Sequence, residues 1–362
     1  MHAAPDSADS TDSTDSARLD AYETAATGLA LLGDRRLAEL LETAAPLGSG
    51  IGGTSALLDV AGTPVFVKRV PLTDRERAPE HRHSTSDVFG LPAYCHYGVG
   101  TPGFGAWREL AAHRMTTNWV LTGAYDGFPL LYHWRVLPGA APALPDELAD
   151  VEESVAYWGG GPEIRRRLEE LRDASASLLL FLEYIPTTLH DWLSARIAAG
   201  PAEADTAVRQ VEEQLGAGIA LMNDRGLLHF DGHFQNVLTD GRRLYFTDFG
   251  LALSTRFDLS PAEHDFAARH HAHDPAYTLS YLVNWLITAL YGHRRPEREA
   301  LIRACAAGAE PPPGPAAARA AIVRHAPTAA VVTDFYGRLM DESRQLPYPA
   351  QEIDRALLLG RR

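Results

Sequence analysis

A chain of 362 residues with 46% hydrophobic content is long enough for one large or two moderate cores and has the composition of an ordinary globular protein. Its net charge of −14 excludes sequence-independent nucleic-acid binding, which needs basic surface to displace counterions, so an anionic ligand must be held by a local site. Two cysteines, Cys95 and Cys305, are too few for a disulfide framework or a thiolate zinc site and point to a reducing, cytoplasmic setting.

Residues 1–18, rich in Ser, Asp, Thr and Ala, have little to bury and are predicted to be a disordered acidic tail without the basic and apolar regions of a signal peptide. From Leu19 to about Ala45 the pattern is helical. Glycines then lead into two strands, Leu57 to Val60 and Val65 to Val70. A polar, His-rich stretch (TDRERAPEHRHSTSD) precedes a helix around GAWRELAAHRM and the strand-like FPLLYHWRVLP. Residues 139–177 read as an insertion of helical character in which Arg165 to Arg167 alternate with acids and are expected to be exposed. LLLFLEYI reads as a buried strand, after which the chain is mostly helical. Val208, Val211, Leu215, Ile219 and Met222 recur at helical spacing and deliver the chain to His229. The run AYTLSYLVNWLITALY from Ala276 contains Asn284, is short for a membrane span, and is expected to be a buried core helix. No membrane partner is therefore expected. PPPGPAAA, from Pro311, reads as a surface loop.

The stretch LHFDGHFQNVLTDGRRLYFTDFGLA, from Leu228, carries the most chemistry. Strand-compatible residues flank Asp240-Gly241, the signature of a tight hairpin, which brings Asn236 and Asp248 together at its open end. Oxygen ligands converging there suit a hard cation such as Mg²⁺, and Asp231 on the entering loop can face the same cavity. Upstream, Gly48, Gly50 and Gly53 fit G-x-G-x-x-G. A dinucleotide fingerprint should open a helix, whereas strand residues follow here, so a flap whose backbone amides cover phosphates fits better, with a plain hairpin turn as the alternative. The chain holds 32 arginines and one lysine, Lys68, inside the strand VFVKRV. A compact ammonium retained in so arginine-rich a sequence suits phosphate contact, although chance survival on a strand surface is also open.

These motifs, in this order, resemble the protein-kinase-like superfamily, which includes Ser/Thr protein kinases and the aminoglycoside and choline phosphotransferases. The Gly-rich loop, VFVK at 65–68, HFDGHFQN at 229–236 and DFG at 248–250 carry the resemblance, which spans roughly Leu47 to Tyr291. It implies an α+β bilobal fold: a small antiparallel-sheet N-lobe over 19–184, with insertions at about 71–100 and 139–177, and a helical C-lobe over 185–362. It further implies that the Gly-rich loop and Lys68 bind ATP, that Asp231 accepts or orients the acceptor hydroxyl, and that Asn236 and Asp248 hold Mg²⁺. The helix glutamate that pairs with Lys68 is assigned to Glu109, ahead of Glu76 and Glu80. Glu183, Tyr184 and Ile185 resemble the linker whose backbone receives adenine, and Asp274 resembles the aspartate that braces the catalytic loop.

His233 stands where Ser/Thr kinases carry lysine, giving the H-x-D-x-H-x-x-N loop of aminoglycoside and choline phosphotransferases and adding His233 to the catalytic set. No A-P-E follows DFG; Ser260 to Glu263 reads as a helix capping box. The leading expectation is an ATP- and Mg²⁺-dependent kinase whose acceptor is a Ser/Thr protein. A small-molecule phosphotransferase is the alternative, and a nucleotide-binding pseudokinase the second. The histidines of HHAHD and His264 are expected on a solvated helix face rather than at a transition-metal site.

Overall fold

The structure, a computed structural model, describes residues 8–50, 53–98, 101–139 and 144–360. Ile51 and Gly52 of the Gly-rich loop and residues 1–7 of the N-terminal tail lie outside the described residues. The fold is α+β. Helices α1 (Ala8–Ala30) and α2 (Asp34–Leu41) precede a strand-rich region of β1 (Ala45–Gly50), β2 (Gly53–Val60) and β3 (Thr63–Leu72). Residues 8–18 are therefore helical where their polar composition predicts disorder. The single helical pattern from Leu19 breaks between Ala30 and Asp34, and strand structure begins at Ala45.

A one-turn helix α3 (Asp74–Arg77) and a 3₁₀ turn at Ala93–Tyr97 lead to α4 (Ala106–Leu121) and β4 (Leu131–Pro138). Helices α5 (Asp146–Ala149), α6 (Val151–Tyr157) and α7 (Pro162–Arg172) supply the helical character of the 139–177 segment before β5 (Ala176–Glu183). The five strands form one antiparallel sheet in the order β1-β2-β3-β5-β4. Strand β5 is paired on both edges and covered on both faces, which is why its sequence is continuously apolar. Leu179 and Phe181 pack with Leu29 and Leu37 from α1 and α2 on one face. Leu178, Leu180 and Leu182 pack with Trp107 and Leu110 of α4 on the other. Truncating one of these fully buried leucines to alanine costs about 2–5 kcal/mol.

Short strands β6 (Thr187–Thr188), β7 (Leu227–Leu228), β8 (Val237–Thr239), β9 (Leu244–Phe246) and β10 (Leu253–Ser254) alternate with α8 (Leu189–Ala198), α9 (Pro201–Asp224) and α10 (Pro261–Arg269). Helices α11 (His273–Tyr291), α12 (Arg295–Ala306), α13 (Ala316–Asp341) and α14 (Ala350–Leu359) follow. The periodic residues Val208, Val211, Leu215 and Met222 of α9 meet Leu282, Val283 and Leu286 of α11 in a second core. Among the described residues no helix is long and apolar enough to cross a membrane. The capping box expected at the start of α10 is present, with Ser260 and Glu263 exchanging hydrogen bonds.

Two expectations of exposure are corrected. Arg167 is 3% exposed and ion-paired to Glu76 at 2.8 Å, because α7 lies against the segment that carries α3. His270 and His273 are buried in an aromatic cluster with Tyr97, Phe230 and Tyr348, where ring stacking and hydrogen bonds to Tyr97 and Tyr336 replace water.

Candidate active site

Strand β3 delivers Lys68 to the floor of a cavity of about 1270 Å³. Its Nζ donates to Glu109 Oε1 at 2.7 Å and Asp248 Oδ1 at 2.8 Å. Burial works against the ammonium, but the Asp248 and Glu109 carboxylates outweigh it and hold Lys68 above its ordinary pKa. Burial likewise favours a neutral Asp248, yet the Lys68 charge and hydrogen bond hold that carboxyl down at about 2. Glu109 is raised by burial and by the Asp248 charge, against the pull of Lys68. Asp248 is the firm anion of the three.

Glu109 reaches Lys68 across 41 residues because α4 is fixed from its N-terminal end. Glu76 accepts the Ala106 N–H at 2.8 Å through Oε1, and its carbonyl accepts from Trp107 Nε1 at 2.7 Å. Glu76 therefore acts as a brace for α4 and does not pair with Lys68. It also closes a capping box with Thr73, and T-x-x-E in the sequence was the signal for that role. His113, one turn beyond Glu109, lies 4.0 Å from it; burial and then the Lys68 charge push its pKa down to about 3, so it stays neutral.

The loop before β8 is held from beneath. Asp274, at the start of α11, accepts the backbone N–H groups of His229 (2.5 Å) and Phe230 (3.0 Å). Phe230 has φ 63° and Asp248 φ 61°, left-handed values that non-glycine residues adopt only where their surroundings enforce them. Asp231 follows. Asn236 Nδ2 donates to its Oδ2 at 2.9 Å and its carbonyl at 3.0 Å. Burial, then the Asp248 charge, push the Asp231 carboxyl up to about 7 against the Asn236 hydrogen bond. His233 Nε2 stands 3.6 Å from Asp231 Oδ1, and burial lowers its pKa. The hairpin places Val237 opposite Phe246, and the Thr247 N–H donates to the Asn236 carbonyl at 3.0 Å, tying the two ends together.

This clasp leaves the amide oxygen of Asn236 and one carboxylate oxygen of Asp248 without a hydrogen bond among the described residues, both on the cavity wall. Two unshared oxygens from different residues fit a hard cation that takes its remaining ligands from phosphate and water. Among the described residues no group of three or more His, Cys, Asp or Glu side chains is arranged to hold a metal ion.

Gly48, Gly50 and Gly53 all line the cavity. At Gly53 a side chain is impossible: φ is +119° and a Cβ would lie 2.0 Å from the Arg69 carbonyl oxygen. Glu183 and Ile185 also line it, but differently. The Glu183 carboxylate is engaged by Arg18 of α1 and by the Leu130 N–H at 3.0 Å, while the Ile185 N–H has no hydrogen-bond partner among the described residues. Apolar Phe66, Leu182 and Leu238 complete this end. Arg18 lay in the polar tail, where nothing in the sequence signalled a contact 165 residues away.

The geometry thus brings Lys68, Glu109, Asp231, His233, Asn236 and Asp248 to one cavity. No protein-family model matches the chain, and no curated protein matches it.

Proposed function

We propose that the chain is an ATP- and Mg²⁺-dependent phosphotransferase of the protein-kinase-like superfamily, with a strand-rich lobe ending near residue 184 and a helical lobe beyond it flanking the cavity. The observation that carries this reading is Lys68 held between Glu109 and Asp248, beside an Asp231–Asn236 pair. Phosphoryl transfer asks the protein for positioning and charge stabilisation rather than covalent chemistry. Lys68 contacts the α- and β-phosphates, and the Ile185 N–H donates to adenine between Phe66 and Leu238. Asn236 and Asp248 hold Mg²⁺, which supplies neutralisation of charge on the transferring group. Asp231 orients the acceptor hydroxyl and takes its proton, a task suited to a carboxyl near neutrality.

For the acceptor, a Ser/Thr side chain of a protein is one reading. A small hydroxylated molecule is the second, favoured by Tyr157 and Trp158 of the 139–177 segment lining the same cavity as Asp231. A pseudokinase would bind nucleotide without transfer. The test is to incubate the protein with Mg²⁺ and γ-labelled ATP in a lysate of its producing cells, beside Asp231→Asn. Label on polypeptide or on a low-mass product, absent with the variant, supports the enzyme and assigns the acceptor class. Equal turnover by both proteins removes Asp231 from its role, and nucleotide binding without label in any product leaves the pseudokinase.

A further inference from the structure

The cavity continues beyond Asp231 to a wall of different chemistry. Tyr277 and Tyr336 line the same cavity as Asp231, and their rings lie 5.4 Å apart. Tyr336, Leu339 and Met340 sit on one face of the last turns of α13 and line the cavity, and Arg344 follows just past the helix end. Arg344 is only 9% exposed. Its guanidinium carbon lies over Tyr157, 3.7 Å from the ring centroid, and 6.0 Å from that of Trp158.

Three lysine or arginine side chains line the cavity among the described residues, and only one lacks an anion. Lys68 is paired with Glu109 and Asp248, and Arg167 with Glu76. Arg344 has no hydrogen bond or ion pair among the described residues. Asp341, whose charge reaches it, is bonded to Arg295 at 2.6 Å. Asp146, the one cavity acid outside the Lys68, Arg18 and Asn236 networks, is exposed. A guanidinium that lines the cavity without a carboxylate partner keeps its donors available to a ligand anion, which it can take up with paired, charge-assisted hydrogen bonds. Its contact with Tyr157 restrains the planar donor fork, which lowers the entropy lost on binding.

We propose that the acceptor is a small alcohol carrying an anionic group, a carboxylate or a phosphate monoester, with its anion on Arg344 and its hydroxyl at Asp231. The aromatic wall would otherwise suit a quaternary ammonium, but Arg344 places a positive charge there and rejects one. This proposal rests on the phosphotransferase reading, in which oxygen of the acceptor hydroxyl bonds to the γ-phosphorus as the bond to ADP breaks and Asp231 takes the hydroxyl proton.

The test is calorimetric binding of inorganic phosphate, D-glycerate, glycerol and choline to the full chain saturated with Mg²⁺ and a non-hydrolysable ATP analogue, which fills the Lys68 end. One of the two anions should bind at millimolar concentration or better, and glycerol and choline should not. Arg344→Met, which keeps a side chain of similar length without the charge, should weaken the anion about tenfold or more while leaving analogue affinity unchanged; Arg344→Lys, which keeps the charge but loses the planar fork, should fall between Arg344→Met and wild type. Preference for phosphate or for glycerate tells a phosphate monoester from a carboxylate. Anion affinity that is absent, or unchanged in Arg344→Met, or choline binding in place of anion binding, overturns the proposal. Failure of the analogue itself to bind counts against the phosphotransferase reading instead. Anion binding is then repeated in Lys68→Met, where dependence on Arg344 still decides whether the anion site exists.

Discussion

Arg18 of α1 grips the carboxylate of Glu183 at the end of β5, with Nε at 2.8 and 2.9 Å from its two oxygens and a terminal nitrogen at 2.7 Å. The same guanidinium donates to the carbonyls of Asp126 and Phe128. The N-terminal helix is thereby tied to the segment that continues into Ile185. Both side chains are nearly buried, at 8% and 12% exposure, so removing one strands the other. Arg18→Met should lower stability at neutral pH by about 3–5 kcal/mol, and Glu183→Gln in that background should restore part of it. Urea denaturation checks this; a midpoint equal to wild type would mean that α1 does not secure the linker.

Much of the site was legible because its signals are local or compositional. The hairpin follows from Asp240-Gly241 between strand residues, and Lys68 stands out because no other lysine competes with it. Glu109 was legible from the helical pattern around it. What escaped depends on contacts far apart in sequence. Arg18 with Glu183, Arg167 with Glu76, and His270 within its aromatic cluster each owe their burial to a partner segment whose approach no local pattern encodes. Polar composition predicted exposure for all three, and ion pairing or ring stacking overrode it.

Lys68→Met leaves two carboxylates facing each other without their shared cation. The protein should lose about 3–5 kcal/mol at pH 7. Asp248 has its folded pKa depressed to about 2, so its contribution is present above the ordinary carboxylate range and is lost as pH falls toward 2. The gap between wild type and Lys68→Met should therefore narrow as pH drops below about 4. Denaturant titrations at pH 7 and pH 3.5 measure it, and adding Glu109→Gln should recover stability at neutral pH. A gap independent of pH would remove the electrostatic cause.

Asp231 carries the opposite sign. Its folded pKa, pushed up to about 7, means that the native state binds a proton the unfolded chain releases near pH 4. The associated stability is full below that unfolded value and is lost as pH rises through about 7. Asp231→Asn should thus match wild type at pH 4 and exceed it at pH 8 by roughly 1–4 kcal/mol. For phosphoryl transfer, log kcat/KM should climb with unit slope below pH 7 and level off above it. A flat stability difference between pH 4 and pH 8, checked by thermal melts, would contradict the raised pKa.

Asp274 holds the loop in which Phe230 adopts its left-handed backbone, by accepting the N–H groups of two consecutive residues. Asp274→Asn turns one acceptor into an NH₂ group and leaves a buried backbone donor unpaired, at a cost of about 1–3 kcal/mol. The strained conformation at Phe230 then loses part of what enforces it, and Asp231, the next residue, shifts with it. Lys68, Glu109 and Ile185 stand on other elements and should keep their geometry. The expected signature is a fall in kcat of tenfold or more with KM for ATP nearly unchanged, since about 1.4 kcal/mol of misplaced transition-state stabilisation suffices. Asn284→Ala supplies the comparison. It removes bonds from the same helix to Ser280 and Thr333 without touching the loop, so it should lower stability and spare kcat. Equal loss of kcat in both variants would mean that Asp274 only stabilises α11, and a loss confined to KM would place its effect at the nucleotide rather than at Asp231.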